Sequence, residues 1–144
     1  MHSVDAALAS AALLAFATLA AATAFHYETL RLLARAAKRM HVSQAWIVGV
    51  LAALVGVHLA EIALYAAAYA LGDALGLGHL RGASGHALDF FYFAAETYST
   101  LGYGDLLPMG ALRLVAAIEA LNGLLLLAWS GAFLYSVLSR DAAA

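Results

Sequence analysis

The stretch that decides the fold is ETYSTLGYGDLLP, Glu96 to Pro108. It sets two carboxylates, two tyrosines, three hydroxyl residues and two glycines among segments that otherwise read as lipid-soluble. Backbone N–H and C=O groups at membrane depth must be paired, so irregular backbone survives there only when buried in protein or lining water. The run must therefore face a cavity, and the segments around it must form that cavity.

The 144 residues are 65% apolar and only 11% charged, against about 25% charged in ordinary soluble domains. Such a composition points to a membrane protein. With no cysteine, disulfides and thiolate metal sites are excluded. A net charge of -2 without a large basic patch gives no reason to expect nucleic acid.

Three apolar runs are long enough to cross a bilayer: Ala6–Phe25, Ala45–Leu71 and Ala111–Leu138. Each is a continuous run near or above the roughly 20 residues a helix needs, so helices rather than barrel strands are predicted. The first run competes with a signal peptide, but only Asp5, and no Lys or Arg, precedes it. Arg31, Arg35, Lys38 and Arg39 cluster between the first two runs, which puts that linker in the cytoplasm. The N-terminus and the 72–110 segment are then outside, and the C-terminus is cytoplasmic. A voltage-sensing role for the cluster is the weaker reading, because these residues follow the apolar run.

Between the second and third runs, GDALGLGHLRGASGH is glycine-rich and reads as an exposed loop or turret. ALDFFYFAAETYS, Ala87 to Ser99, is apolar but too short to span, as a re-entrant helix would be. Ser84 is the expected cap, with Asp89 favourably placed in the first turn.

TLGYGD, Thr100 to Asp105, resembles the selectivity-filter signature of the potassium channel superfamily, with Leu101 where the family usually has Val or Ile. A short aromatic-rich helix before it, Pro108 after it and an apolar span with a glycine complete the likeness, over roughly residues 45 to 138. The resemblance is closest to small bacterial channels with a two-helix pore module, here with one extra N-terminal helix. It implies an all-α membrane protein with three transmembrane helices, a re-entrant pore helix and a filter loop, assembled as a homotetramer in the bacterial inner membrane. It divides the chain into residues 1–40, the first helix and basic linker, and 41–144, the pore domain.

It also implies roles. Carbonyls of Thr100, Leu101, Gly102 and Tyr103 would replace the hydration of potassium ions, the only cofactor expected. Gly102 and Gly104 reach the required backbone angles freely. Tyr103 should wedge against Tyr92 and Phe93. Glu96 and Asp105 would share a proton behind the filter, either as a structural buttress or as a means of tuning inactivation. Gly123 falls at the family's hinge position, unless it serves close packing. Leu127, Gly131 and Tyr135 follow at helical spacing on the pore side, Tyr135 being either the narrowest ring or an interfacial residue.

The residues themselves add an intramembrane polar set: His58 and Glu61 in the second span, Glu119 and Asn122 in the third, each pair at i, i+3. A direct contact between the two pairs would satisfy both, as an interhelical clasp or as a proton sensor. His2, His26, His41, His79 and His86, near predicted ends or loops, carry no expected role.

The leading expectation is a passive potassium-selective channel with no enzymatic step. Alternatives are a less selective monovalent cation channel, a non-conducting accessory subunit, and an intramembrane metalloenzyme built on His58, Glu61 and Glu119.

Overall fold

The computed structural model describes residues 2–37 and 43–141. Lys38 and Arg39 of the basic cluster lie outside the described residues. Three long helices, α1 (His2–Ala37), α2 (Gln44–Ala74) and α4 (Leu112–Asp141), are apolar enough to cross a membrane, and a short helix, α3 (Ala87–Tyr98), lies between the last two.

α1 runs well past Phe25, where the apolar run ends. No Gly or Pro interrupts residues 26–37, and Glu28 pairs with Arg31 one turn on at 2.6 Å. Arg31 and Arg35 thus sit on a helix, not in a linker. The same extension carries His26 into the interior, fully buried. Ala11, Ala15 and Ala22 are also fully buried, so α1 docks through small side chains that let helix backbones approach closely.

α2 starts at Ser43, whose hydroxyl accepts from the Trp46 N–H at 3.3 Å. It ends in a Schellman turn: Leu77 N–H bonds the Gly72 carbonyl, Gly76 N–H bonds that of Asp73, and Gly76 takes φ 70.

The turret is less exposed than its composition suggests. Leu80–Arg81 (β1) pairs antiparallel with Leu107–Pro108 (β2), and Met109 and Ala111 N–H groups bond the His79 and Leu77 carbonyls at 2.9 and 2.8 Å. Leu77 and Leu80 are buried. This clamp needs backbone against backbone: any side chain on Gly110 would strike the Leu77 carbonyl, 2.7 Å from an added Cβ. The chain that follows Thr100–Asp105 is therefore tied to the chain that precedes α3.

α3 is capped differently from expectation. His86, not Ser84, is the N-cap. Asp89 reaches back instead, its Oδ2 accepting from the Ser84 N–H at 2.7 Å, the Ser84 hydroxyl at 2.8 Å and the His86 N–H at 3.3 Å. One carboxylate at the positive helix end satisfies three donors, which a serine oxygen could not do.

Leu51, Val55, Leu59, Leu121, Leu124 and Leu125 stay exposed on α2 and α4. Apolar surface on this scale marks lipid or a protein partner.

Candidate functional site: a pore-loop filter and the polar junction behind it

α3 ends in a second Schellman turn, and the filter run grows directly out of it. Thr100 N–H bonds the Thr97 carbonyl at 3.0 Å, and Leu101 N–H bonds that of Glu96 at 2.9 Å. The left-handed position such a turn demands, usually a glycine, is here Thr100, with φ 59. For a β-branched residue this is an outlier costing about 1–2 kcal/mol. Strain of this kind persists only where the surroundings over-determine it, and it clusters at functional sites.

Beyond Thr100, positive φ recurs at Gly102 (57) and Gly104 (83), whereas Leu101 and Tyr103 do not share it. Alternation of left-handed and ordinary residues turns successive peptide planes to the same side, which a β-strand does not do. This answers why glycine alternates with larger residues in the run. Thr100 through Asp105 are exposed on the single subunit, Leu101 by 58% and Tyr103 by 68%.

Behind the run stands Glu96, 4% exposed. Its Oε2 accepts from the Tyr103 N–H at 2.9 Å, and its main-chain carbonyl accepts from Leu101 and Gly102 at 2.9 and 3.2 Å. Burial pushes the Glu96 carboxyl above the ordinary carboxylate range; the Tyr103 N–H opposes this, and the nearby Asp105 charge adds to it. Asp105 has a separate partner, the Tyr92 hydroxyl at 3.3 Å. The two carboxyls thus brace the loop from two sides, Glu96 through the backbone and Asp105 through a tyrosine. Tyr92 and Tyr103 stack parallel with centroids 6.3 Å apart, but Phe93 turns away and meets Tyr69 edge-on at 4.9 Å. One of the two aromatics expected against Tyr103 is therefore a core residue.

The intramembrane polar residues form rungs across the bundle. Nearest the turret end of α2, the Tyr69 hydroxyl donates to Glu119. One turn along, Asn122 donates to the Tyr65 hydroxyl at 3.0 Å and accepts from Thr23 of α1 at 3.2 Å. Next comes the largest group. Glu61 Oε1 lies 2.9 Å from His26 Nδ1, and Oε2 lies 3.2 Å from His58 Nδ1 and accepts from the Tyr98 hydroxyl at 2.5 Å. His58 Nδ1 is also 2.9 Å from Tyr98 Oη. Both imidazole Nε2 atoms face Ser130 Oγ, at 3.0 Å from His58 and 3.4 Å from His26.

The expected direct link between the His58–Glu61 and Glu119–Asn122 pairs is thus replaced by tyrosines, one for each level. Tyr65 and Tyr69 follow Glu61 at steps of four, on the same face of α2. The triad His58, Glu61 and Glu119 does not assemble; the group near enough to share an ion, among the described residues, is His26, His58 and Glu61. His26, Tyr98 and Ser130 were not singled out from sequence. A histidine one residue past the apolar run is the available signal, and it gains weight only because α1 continues beyond Phe25.

On α4, Gly123 is a packing position. An added Cβ would collide with the Tyr98 carbonyl, so glycine lets α4 lie against the C-terminal end of α3. Leu127, Gly131 and Tyr135 fall on exposed surface, Tyr135 by 74%.

An ion channel family model matches residues 57–140, more than half of the chain. The inward rectifier potassium channel Kirbac3.1 of Paramagnetospirillum magnetotacticum is 36% identical over 92 residues, 62% of this chain and 30% of that protein. The chain thus spans under a third of that relative's length. No solved structure gives a significant match. With α3, the run of alternating handedness after it and α4 all inside the matched residues, the chain belongs to this ion channel family.

Proposed function

We propose that four copies of this chain surround one axial pathway and conduct potassium ions selectively and passively. The observation that carries the reading is the filter run itself, with positive φ at every second residue from Thr100 to Gly104. In a fourfold ring, the Thr100, Leu101, Gly102 and Tyr103 carbonyls supply stacked oxygens that replace an ion's water. One chain offers one such strand, and its exposed surface calls for neighbours; closed cyclic symmetry supplies them. Similarity to Kirbac3.1, a potassium channel, supports the choice of ion.

In this reading residues 41–144 make the pore domain, and residues 1–40 dock outside it. Leu127, Gly131 and Tyr135 face the pathway below Gly123, with Tyr135 at the narrowest ring. Arg31 and Arg35, in the C-terminal turns of α1, face the cytoplasm of a bacterial inner membrane, and the N-terminus faces outward.

The test is flux through purified protein in liposomes, with potassium, rubidium and sodium gradients imposed in turn, beside a mass measurement of the particle. Rapid potassium and rubidium flux with little sodium flux, from a tetramer, is the expected result. Equal sodium flux favours the less selective cation pore that Leu101 raises. A particle that carries nothing unless other subunits are added is an accessory subunit.

A further inference from the structure

The junction around Glu61 holds more ligand chemistry than a clasp between helices requires. We propose that His26, His58, Glu61 and Tyr98 bind one divalent transition-metal ion of the zinc class per subunit. Four donors converge there from three helices: His26 Nδ1 from α1, His58 Nδ1 and the Glu61 carboxylate from α2, and Tyr98 Oη from α3. Their neighbouring separations are 2.9, 3.2, 2.9 and 2.5 Å. A tetrahedral ion with bonds of about 2.0–2.1 Å sets its donors about 3.4 Å apart. One ligand atom from each of His26, His58 and Glu61 already lies within 4.8 Å of the others. The quoted pairs stand at hydrogen-bonding distance, so small side-chain shifts that spread them make room for the ion. Imidazole and carboxylate together suit zinc, and cobalt(II) reports on the same geometry.

The far side of the two rings makes the stronger argument. When both rings are neutral and both Nδ1 atoms donate protons to Glu61, both Nε2 atoms are acceptors. They then compete for the one hydroxyl proton of Ser130, and one is left unmet. When both Nδ1 atoms hold a metal ion, the protons sit on Nε2 instead. Each N–H then donates into one of the two lone pairs of Ser130 Oγ, and neither ring is left short. A hydrogen-bond acceptor behind each imidazole is what metal-bound histidines require.

Charge points the same way. Glu61 is fully buried, and its ion-pair partners among the described residues are the two histidines, with no Lys or Arg. A carboxylate at that depth needs a positive charge beside it. A bound ion there would tie α1 to α2 and to Tyr98, two residues before Thr100.

The test begins with channel protein stripped by chelator, reloaded with zinc and desalted. About one zinc per subunit is expected, and cobalt-loaded protein should show the intense visible bands of a tetrahedral site. His26→Gln and Glu61→Gln should each lose the retained ion and the bands. Ser130→Ala keeps every ligand and should weaken zinc binding by about 10–100-fold, so the idea stays testable if a ligand variant misfolds. Wild-type protein that retains no more zinc than His26→Gln overturns it. So does octahedral cobalt alone. A nitrogen NMR spectrum of zinc-treated protein showing an imidazolium at His26 or His58 also overturns it, because a proton then supplies the charge.

Discussion

The filter run and the junction around Glu61 are joined through Tyr98, yet they are held together in opposite ways. From Thr100 to Gly104 the main chain carries the information: side chains point outward, and order comes from three N–H groups tied to Glu96 and from alternating backbone handedness. At the junction the backbone is ordinary helix. There the information lies in side chains from four helices, His26, Glu61, Tyr98 and Ser130, none of them near another in sequence except Tyr98 and the filter. A channel built this way keeps its strained segment short and rests it on a buried, paired base. Damage to the two regions should therefore read out differently, as lost conduction with the fold retained, or as lost stability first.

The largest effect is expected at Gly102. Gly102→Ala puts a Cβ on a residue at φ 57, at a cost of about 1–2 kcal/mol per subunit, on the segment that must keep its carbonyls aligned. Liposome flux should fall by two orders of magnitude or more, while size-exclusion behaviour stays that of wild type. A variant that fails to assemble would break the division between the regions. Gly123→Ala comes next and tests the contact between them, since its Cβ would overlap the Tyr98 carbonyl. Overpacking of this kind costs about 1–3 kcal/mol, so the melting temperature should drop along with flux. A hinge role alone would leave the melting temperature unmoved.

Tyr98→Phe sharpens the junction side. It removes the hydroxyl that donates to Glu61 Oε2, leaving a buried carboxylate one donor short at a cost of about 1–3 kcal/mol. Melting in detergent should fall, and filter selectivity, measured as the sodium-to-potassium flux ratio, should change little. A large change in selectivity at unchanged stability would mean that Tyr98 serves the filter more than the junction.

How much of this was legible follows the same division. Alternating glycines, the helix of Ala87–Ser99 and the three spans are local patterns, and the structure has them close to where the sequence puts them. Glu96 and Asp105 stand out in the sequence as candidate supports of the loop, but their partners do not, because a carboxylate does not announce whether it will meet another carboxylate, a tyrosine or a backbone N–H. Phe93 and Tyr92 are adjacent aromatics on a helix, so one had to turn about 100° from the other; sequence could not say which of them faces α2. His26 was lost for a different reason. Leu30, Leu32 and Leu33 keep α1 going beyond the hydropathic run, and a boundary drawn by hydropathy alone discarded the histidine that completes the junction. Residue type alone favours Ser84 as the cap, but the Asp89 carboxylate reaches three donors at once.

The smallest expected effect concerns that cap and sets the acid limit of the pore loop. Bonds from Ser84, side chain first and then main chain, hold Asp89 below the ordinary aspartate value of 3.8. A depressed folded value means that the native state binds the proton less readily than the unfolded chain. The contribution is therefore complete above about pH 4 and is lost as pH falls from there through the folded value. Glu96 runs the other way. Its raised value makes the folded loop favour the protonated form, so its contribution is greatest below 4.5 and fades as pH rises through the folded value. Between neutral pH and about pH 4.5, acidification should tighten the filter in wild-type protein, and Glu96→Gln should abolish that trend. Below about pH 4 the cap should fail in both, and Asp89→Asn should show no loss there. Amide hydrogen exchange on residues 84–104 across pH measures both arms. Exchange that speeds up steadily with acid, after correction for intrinsic rates, would mean that the Glu96 carboxylate works ionised and that its bond to the Tyr103 N–H outweighs its burial.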